Sequence, residues 1–166
     1  MDTFSAIVSK RDTRQYADRP VPDEAVKRIL EAGRLAGSAR NRQPWRFLVV
    51  ESAERREQLA GAVYAPENVH GAKLVVAIAG KSGMDVGRCA QNMMLAAWND
   101  DVASCPNGIA DAEAAAAALG LGEDEAIAAV LTFGYPANGR TGEARTADEW
   151  IAQADRKPLG ELVTRI

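Results

Sequence analysis

The sequence predicts a single domain of mixed α and β elements, on three observations. Its 166 residues suit one hydrophobic core, several segments repeat apolar residues at helical spacing, and short apolar runs between turn formers read as strands. Thr3 to Ser9 places Phe4, Ile7 and Val8 at helical steps, and the basic stretch Lys10 to Arg14 follows. Pro20 and Pro22 punctuate, and "PDEAVKRILEAGRLAG" then reads as a helix with two acids in its first turn and Gly37 near its stop. "WRFLVVES" is rich in strand formers, and Trp45 is expected to be core at the start of a buried strand. "AERREQLAGAV" has the spacing of a surface helix. "AKLVVAIAG" reads as a buried strand pairing with the Trp45 strand. From Asp85 to Asp100, Val86, Cys89, Ala90, Met93, Met94, Ala97 and Trp98 recur at steps of three and four, which predicts a long, buried central helix. A turn is expected at Pro106 to Gly108, then an alanine-rich helix stopping near Gly120 and a strand in "AIAAVLTFGYP". The remaining tail reads as a polar linker followed by a short apolar turn with Leu159, Leu162 and Val163.

Composition narrows the function. A formal net charge of -3 argues against nonspecific nucleic-acid binding and leaves local basic clusters free to hold a small anion. Cys89 and Cys105 are too far apart for a Cys-x-x-Cys pattern and too few for a disulfide framework, so both read as reduced thiols. With no basic leader ahead of an apolar stretch and no run of membrane-spanning length, the expectation is a cytoplasmic protein with a small-molecule partner and no membrane role. One histidine, His70, makes a metal site of several imidazoles or a Ser-His-Asp triad improbable, and no metal site is predicted. "GKSGMDVG" lacks the spacing of a P-loop, "GLGEDE" is a helix stop, and Cys89 lies on the apolar face of the central helix.

Three polar clusters remain: Lys10, Arg11 and Arg14; the turn from Ser38 to Gln43; and Arg156 with Lys157. Taken singly, each has the composition of a solvated face. One elongated ligand would join them, with a phosphate at one end for the cations and a polar ring at the other for the short amides.

The ordered set "KRDTRQY", "LAGSARNRQPWRFLVV", "AQNMMLAAW" and "VLTFGYP", ending in "RKPLGELV", resembles the nitroreductase family of flavin enzymes. Lys10, Arg11, Asp12, Arg14 and Tyr16 look like its basic first motif, and Ser38, Asn41, Gln43, Pro44 and Trp45 like its second. Gly37 stands where proline is usual and Lys10 where arginine is frequent, and the chain is short for the family. The resemblance implies an α+β fold with a central, mostly antiparallel sheet flanked by helices, and a homodimer with flavin mononucleotide (FMN) at the subunit interface. It implies that Lys10, Arg11, Asp12 and Arg14 of one subunit hold the phosphate and pyrimidine edge, while Ser38, Asn41 and Gln43 of the other approach the same cofactor. Pro106, Asn107, Gly108 and Ile109 would run beside the flavin ring, with a backbone N-H offered to it, and Arg156 would return to the phosphate.

The implied activity is oxidoreduction from NADH or NADPH to a nitro compound, quinone or related acceptor by a ping-pong cycle. The cofactor carries the chemistry, so no catalytic side chain is assigned. Relatives that fragment flavin or remove halogens leave a second enzyme reading open, and an FMN-binding, storage or sensor module with little turnover is a third.

Overall fold

The computed structural model describes residues 2–81, 83–139 and 145–166. Its strands β1 (Arg46–Val49), β2 (Leu74–Ala79), β3 (Ala103–Asn107) and β4 (Ile127–Gly134) form one antiparallel sheet in the order β1-β2-β4-β3. β2 and β4 are the central strands, and β2 is buried along its whole length because both of its faces are covered. Leu74, Val76 and Ile78, with Leu131 and Phe133 of β4, face a layer containing α2 (Asp23–Arg34) and α5 (Met84–Asn99). Val75, Ala77 and Val130 face the opposite layer, from α3 (Ala53–Ala60), α4 (Pro66–Gly71) and α6 (Ala112–Leu119). Side-chain alternation with a period of two thus splits one sheet between two cores. The result is the α+β fold that the family resemblance implies.

The helices end where their sequences say they should. Ser52 and Asp111 cap α3 and α6 through their side chains, and Gly120 closes α6 in the left-handed conformation at φ 65°. α5 buries Val86, Cys89, Ala90, Met93, Met94, Ala97 and Trp98, all seven residues of the predicted stripe. α1 (Thr3–Ser9) crosses its C-terminal part, where Trp98 donates from Nε1 to Ser9 Oγ at 2.9 Å.

Three features depart from the sequence reading. Pro106 lies inside β3, where a turn was expected; β3 is an edge strand, so its second side tolerates a residue without an N-H. Trp45 is half-buried and precedes β1, itself an edge strand with exposed ends, so it packs against the core rim and not within it. The polar tail contains α7 (Ala147–Gln153), which a capping box starts: Thr146 Oγ1 accepts from the Glu149 N-H, and Glu149 Oε2 accepts from the Thr146 N-H at 2.7 Å. The segment 64–71, which carries no clear periodicity, supplies α4. The short apolar turn is present as α8 (Leu159–Leu162), and every residue from Asp155 to Ile166 is exposed. Among the described residues no helix is long and apolar enough to cross a membrane.

Candidate cofactor site

The Lys10 to Arg14 segment leaves α1 and runs along the free side of β3. Asp12 bridges Ser104 in parallel fashion, and the Thr13 N-H donates to the Ser104 carbonyl at 3.1 Å. The first predicted cluster is thereby brought beside Ser104 and Cys105, the residues that precede Pro106 in β3. Lys10 pairs with Asp12, and its side chain is only 10% exposed, with Nζ 3.7 Å from Met94 Sδ of α5. The buried Cys105 thiol registers the same cluster. Burial and then the Asp12 carboxylate raise its pKa, while Arg14 and Lys10 oppose them, so all three charged residues converge on β3.

Arg11 is used differently. Its Nη1 donates to the carbonyls of Val8 and Lys10 at 2.7 and 2.9 Å, its Nη2 reaches the Trp150 carbonyl at 3.3 Å, and its guanidinium lies 4.8 Å from the Trp150 ring centre. These contacts tie α1 to α7, a coupling the sequence did not reveal. Arg156 then lines a 270 Å³ cleft with Lys10, Arg11, Ile7, Val8, Ile151 and Ala154. Two of the three predicted clusters therefore meet in one chain. Cations with apolar walls are a donor set that suits a phosphate attached to a larger ligand.

At the far end of β3, Pro106 and Gly108 are exposed and Ile109 is half-buried, while the Asn107 side chain is turned inward. The Gly108 carbonyl accepts from the Tyr64 N-H at 3.0 Å, and Val63 bridges Ile109. The Tyr64 ring covers the α-carbon of Gly108, where an added Cβ would sit 2.9 Å from Cδ2, yet that ring is 77% exposed. Tyr64 is not legible in the sequence, because a lone aromatic in an unassigned segment carries no periodic signal.

The turn from Ser38 to Gln43 is self-braced. Ser38 Oγ accepts from the Gln43 N-H at 2.8 Å, Gln43 Nε2 reaches Asn41 Oδ1 at 3.3 Å, and Asp85 Oδ2 accepts from the Ala39 N-H at 3.1 Å. Arg40, Asn41 and Gln43 all hold positive φ, near 50°, which is unfavourable for side chains of this size and marks a loop shaped for more than connection. A Cβ at Gly37 would meet the Arg88 guanidinium at 2.6 Å, the end of a flexible side chain that can move aside.

Within one chain this turn does not meet the other two clusters. It leads into β1, whereas Lys10 to Arg14 flanks β3, on the opposite edge and about 14 Å across at ordinary strand spacing. α5 shows the same separation, with Asp85 and Arg88 at the turn and Met94 and Trp98 at the α1 end, roughly 9–20 Å apart along the helix.

Other reactive groups stand outside this arrangement. His70 is half-exposed, with Nε2 3.0 Å from Glu57. Cys89 is fully buried, and desolvation pushes its thiol up to about 11. Among the described residues, no group of three His, Cys, Asp or Glu could hold a metal ion.

Known proteins share the sequence pattern and the fold. The model of the nitroreductase family matches residues 7–83 and 77–135. A protein of Archaeoglobus fulgidus named for NADH dehydrogenase/NAD(P)H nitroreductase activity is 28% identical over 149 residues, covering 81% of this chain and 86% of its own. Among solved structures, a Desulfovibrio desulfuricans protein described as a nitroreductase in complex with FMN is 30% identical. It superposes with a TM-score of 0.83, covering 100% of this chain and 98% of that one. A nitroreductase family protein of Clostridium difficile shares the fold at a TM-score of 0.81 and 22% identity, covering 99% of this chain and 98% of its own. The chain belongs to the nitroreductase family.

Proposed function

We propose that this protein is an FMN-dependent oxidoreductase passing electrons from NADH or NADPH to a nitro, quinone or related small-molecule acceptor, as a cytoplasmic homodimer with FMN at the subunit interface. The observation that carries the reading is the grouping of Lys10, Asp12 and Arg14 on edge strand β3, with Arg156 lining the same cleft as Lys10 and Pro106–Ile109 continuing the strand. The FMN complex of the Desulfovibrio relative supports it.

FMN, when bound, supplies hydride acceptance from the nicotinamide and electron delivery to the acceptor, which is the basis of a ping-pong cycle. The chain's residues bind and orient. Lys10, Arg14 and Arg156 neutralise the phosphate, Arg11 fixes the segment that presents them, and Asp12 holds Lys10 in place. Pro106, Asn107, Gly108 and Ile109 form the rail beside the ring, and Ser38, Asn41 and Gln43 come from the partner subunit.

The separation of that turn from the other clusters supports an interface site. So does the exposed apolar surface: Phe4 and Ile7 of α1, Ile151 of α7, and Leu159, Leu162 and Val163 in the exposed tail. A four-residue helix is unstable alone in water, and burial of its apolar residues against a second copy would stabilise it.

An absorbance spectrum of the dialysed protein tests the cofactor, followed by chromatography of the released chromophore and steady-state NAD(P)H oxidation with several acceptors. The expected result is one FMN per chain and turnover well above free flavin. Colourless protein that does not take up added FMN would end this reading, and bound FMN at the free-flavin rate would make it a binding module.

A further inference from the structure

Behind β3, four polar side chains from four parts of the chain meet in an otherwise apolar core layer. Thr132 is fully buried on β4, and its hydroxyl donates to the Cys105 carbonyl at 3.2 Å. Thr132 Oγ1 accepts from Asn107 Nδ2 at 3.1 Å and lies 3.0 Å from the Tyr16 hydroxyl, which also donates to the Thr132 carbonyl at 3.2 Å. Asn107 Nδ2 also reaches the Cys105 carbonyl at 3.1 Å, and Asn107 Oδ1 accepts from Asn68 Nδ2 of α4 at 2.9 Å. Burial pushes the Tyr16 phenol up, so it remains a donor at any working pH.

This arrangement is costly as a way of filling space. The Asn68 Oδ1 atom is buried without a hydrogen-bond partner in the structure, a penalty that apolar residues of similar volume would avoid. Directional bonds do something that Val and Leu packing does not: they fix the Cys105 carbonyl before Pro106 and the Asn107 side chain after it. The same node reaches the basic segment through Tyr16, whose ring also lies against Gly134.

We propose that Thr132 and Asn68 are positioning residues, holding Pro106–Ile109 at one distance and orientation from the Lys10–Arg14 segment. The proposal rests on the flavin site described under Proposed function. Neither residue need touch the cofactor; they act through Asn107, Cys105 and Tyr16.

The test compares Thr132→Val and Asn68→Ala with Ile29→Val, a substitution in the opposite core layer, in the purified holoprotein. Three quantities are read: the FMN dissociation constant, the flavin midpoint potential and the melting temperature. Thr132→Val and Asn68→Ala are expected to weaken FMN binding roughly tenfold and to shift the potential. Ile29→Val should lower the melting temperature and leave both flavin properties at the wild-type values, and Thr132→Ser should recover them. If Thr132→Val fails to fold, Tyr16→Phe removes one donor of the same node and is read the same way. Flavin properties unchanged in the node variants, or following melting temperature alike in node and control variants, overturn the proposal. Wild-type protein that binds no FMN removes the flavin site itself, and this inference with it, an outcome distinct from a failure of the variants alone.

Discussion

Arg14 is exposed, and it lies close enough to Cys105 to oppose the rise in that thiol's pKa. Arg14→Ala is therefore expected to weaken FMN binding by about 1.5–3 kcal/mol, the scale of a hydrogen bond to a charged group, with an unchanged melting temperature. Titration of the apoprotein with FMN checks this, and unaltered affinity would remove Arg14 from the site. Trp45 belongs to a different class of residue. A core tryptophan replaced by alanine loses about 3–5 kcal/mol, but Trp45 is half-buried at the rim, so roughly 2 kcal/mol is expected from denaturant unfolding of Trp45→Ala. The two cysteines give a cheaper check. Desolvation raises both thiols, Cys89 to about 11, so both should resist alkylation in native protein at neutral pH and react on unfolding. At this scale the sequence was informative about residue type and silent about engagement. Lys10, Arg11 and Arg14 look alike in "KRDTR", yet Arg11 spends its donors on backbone carbonyls of Val8, Lys10 and Trp150.

α5 shows why most elements could be read in advance. Its buried stripe repeats over four turns, and no competing signal intervenes. β3 escaped because "ASCPN" contains a proline and an asparagine, both turn formers; only the edge position and the Asn107 network make a strand of it. α7 escaped because its signal is a cap and not an apolar period. That cap is pH-sensitive. Hydrogen bonds from the Thr146 backbone and side chain hold the exposed Glu149 carboxyl below its ordinary value of 4.5, so the stabilisation is present above that value and lost as pH falls through the lowered one. Acid titration of the helical circular dichroism should show α7 loosening below about pH 4.5, and Thr146→Ala should lower stability by about 0.5–2 kcal/mol at pH 7 while flattening the acid dependence. An unchanged acid limb in Thr146→Ala would show that the cap contributes nothing.

For the molecule as a whole, most elements were legible from periodicity, and the family with its α+β fold from the resemblance of five ordered motifs, because both are written along the chain. What joins the clusters is not. Opposite sheet edges and opposite ends of α5 keep Ser38–Gln43 away from Lys10–Arg14, which only a three-dimensional arrangement reveals. The tail from Asp155 onward is exposed throughout, and a second copy is proposed to cover it. The most direct test is complementation between two defective variants, Arg14→Ala and a Ser38→Ala/Asn41→Ala pair, each purified alone and then mixed under conditions that exchange subunits. FMN bound per heterodimer is the measurement. A site built from both subunits predicts that each variant alone binds FMN poorly, while the mixed dimer regains one intact site of two, because one interface receives both wild-type segments. No recovery in verified heterodimers would mean that all contacts to one flavin come from a single chain, and the interface site would be wrong.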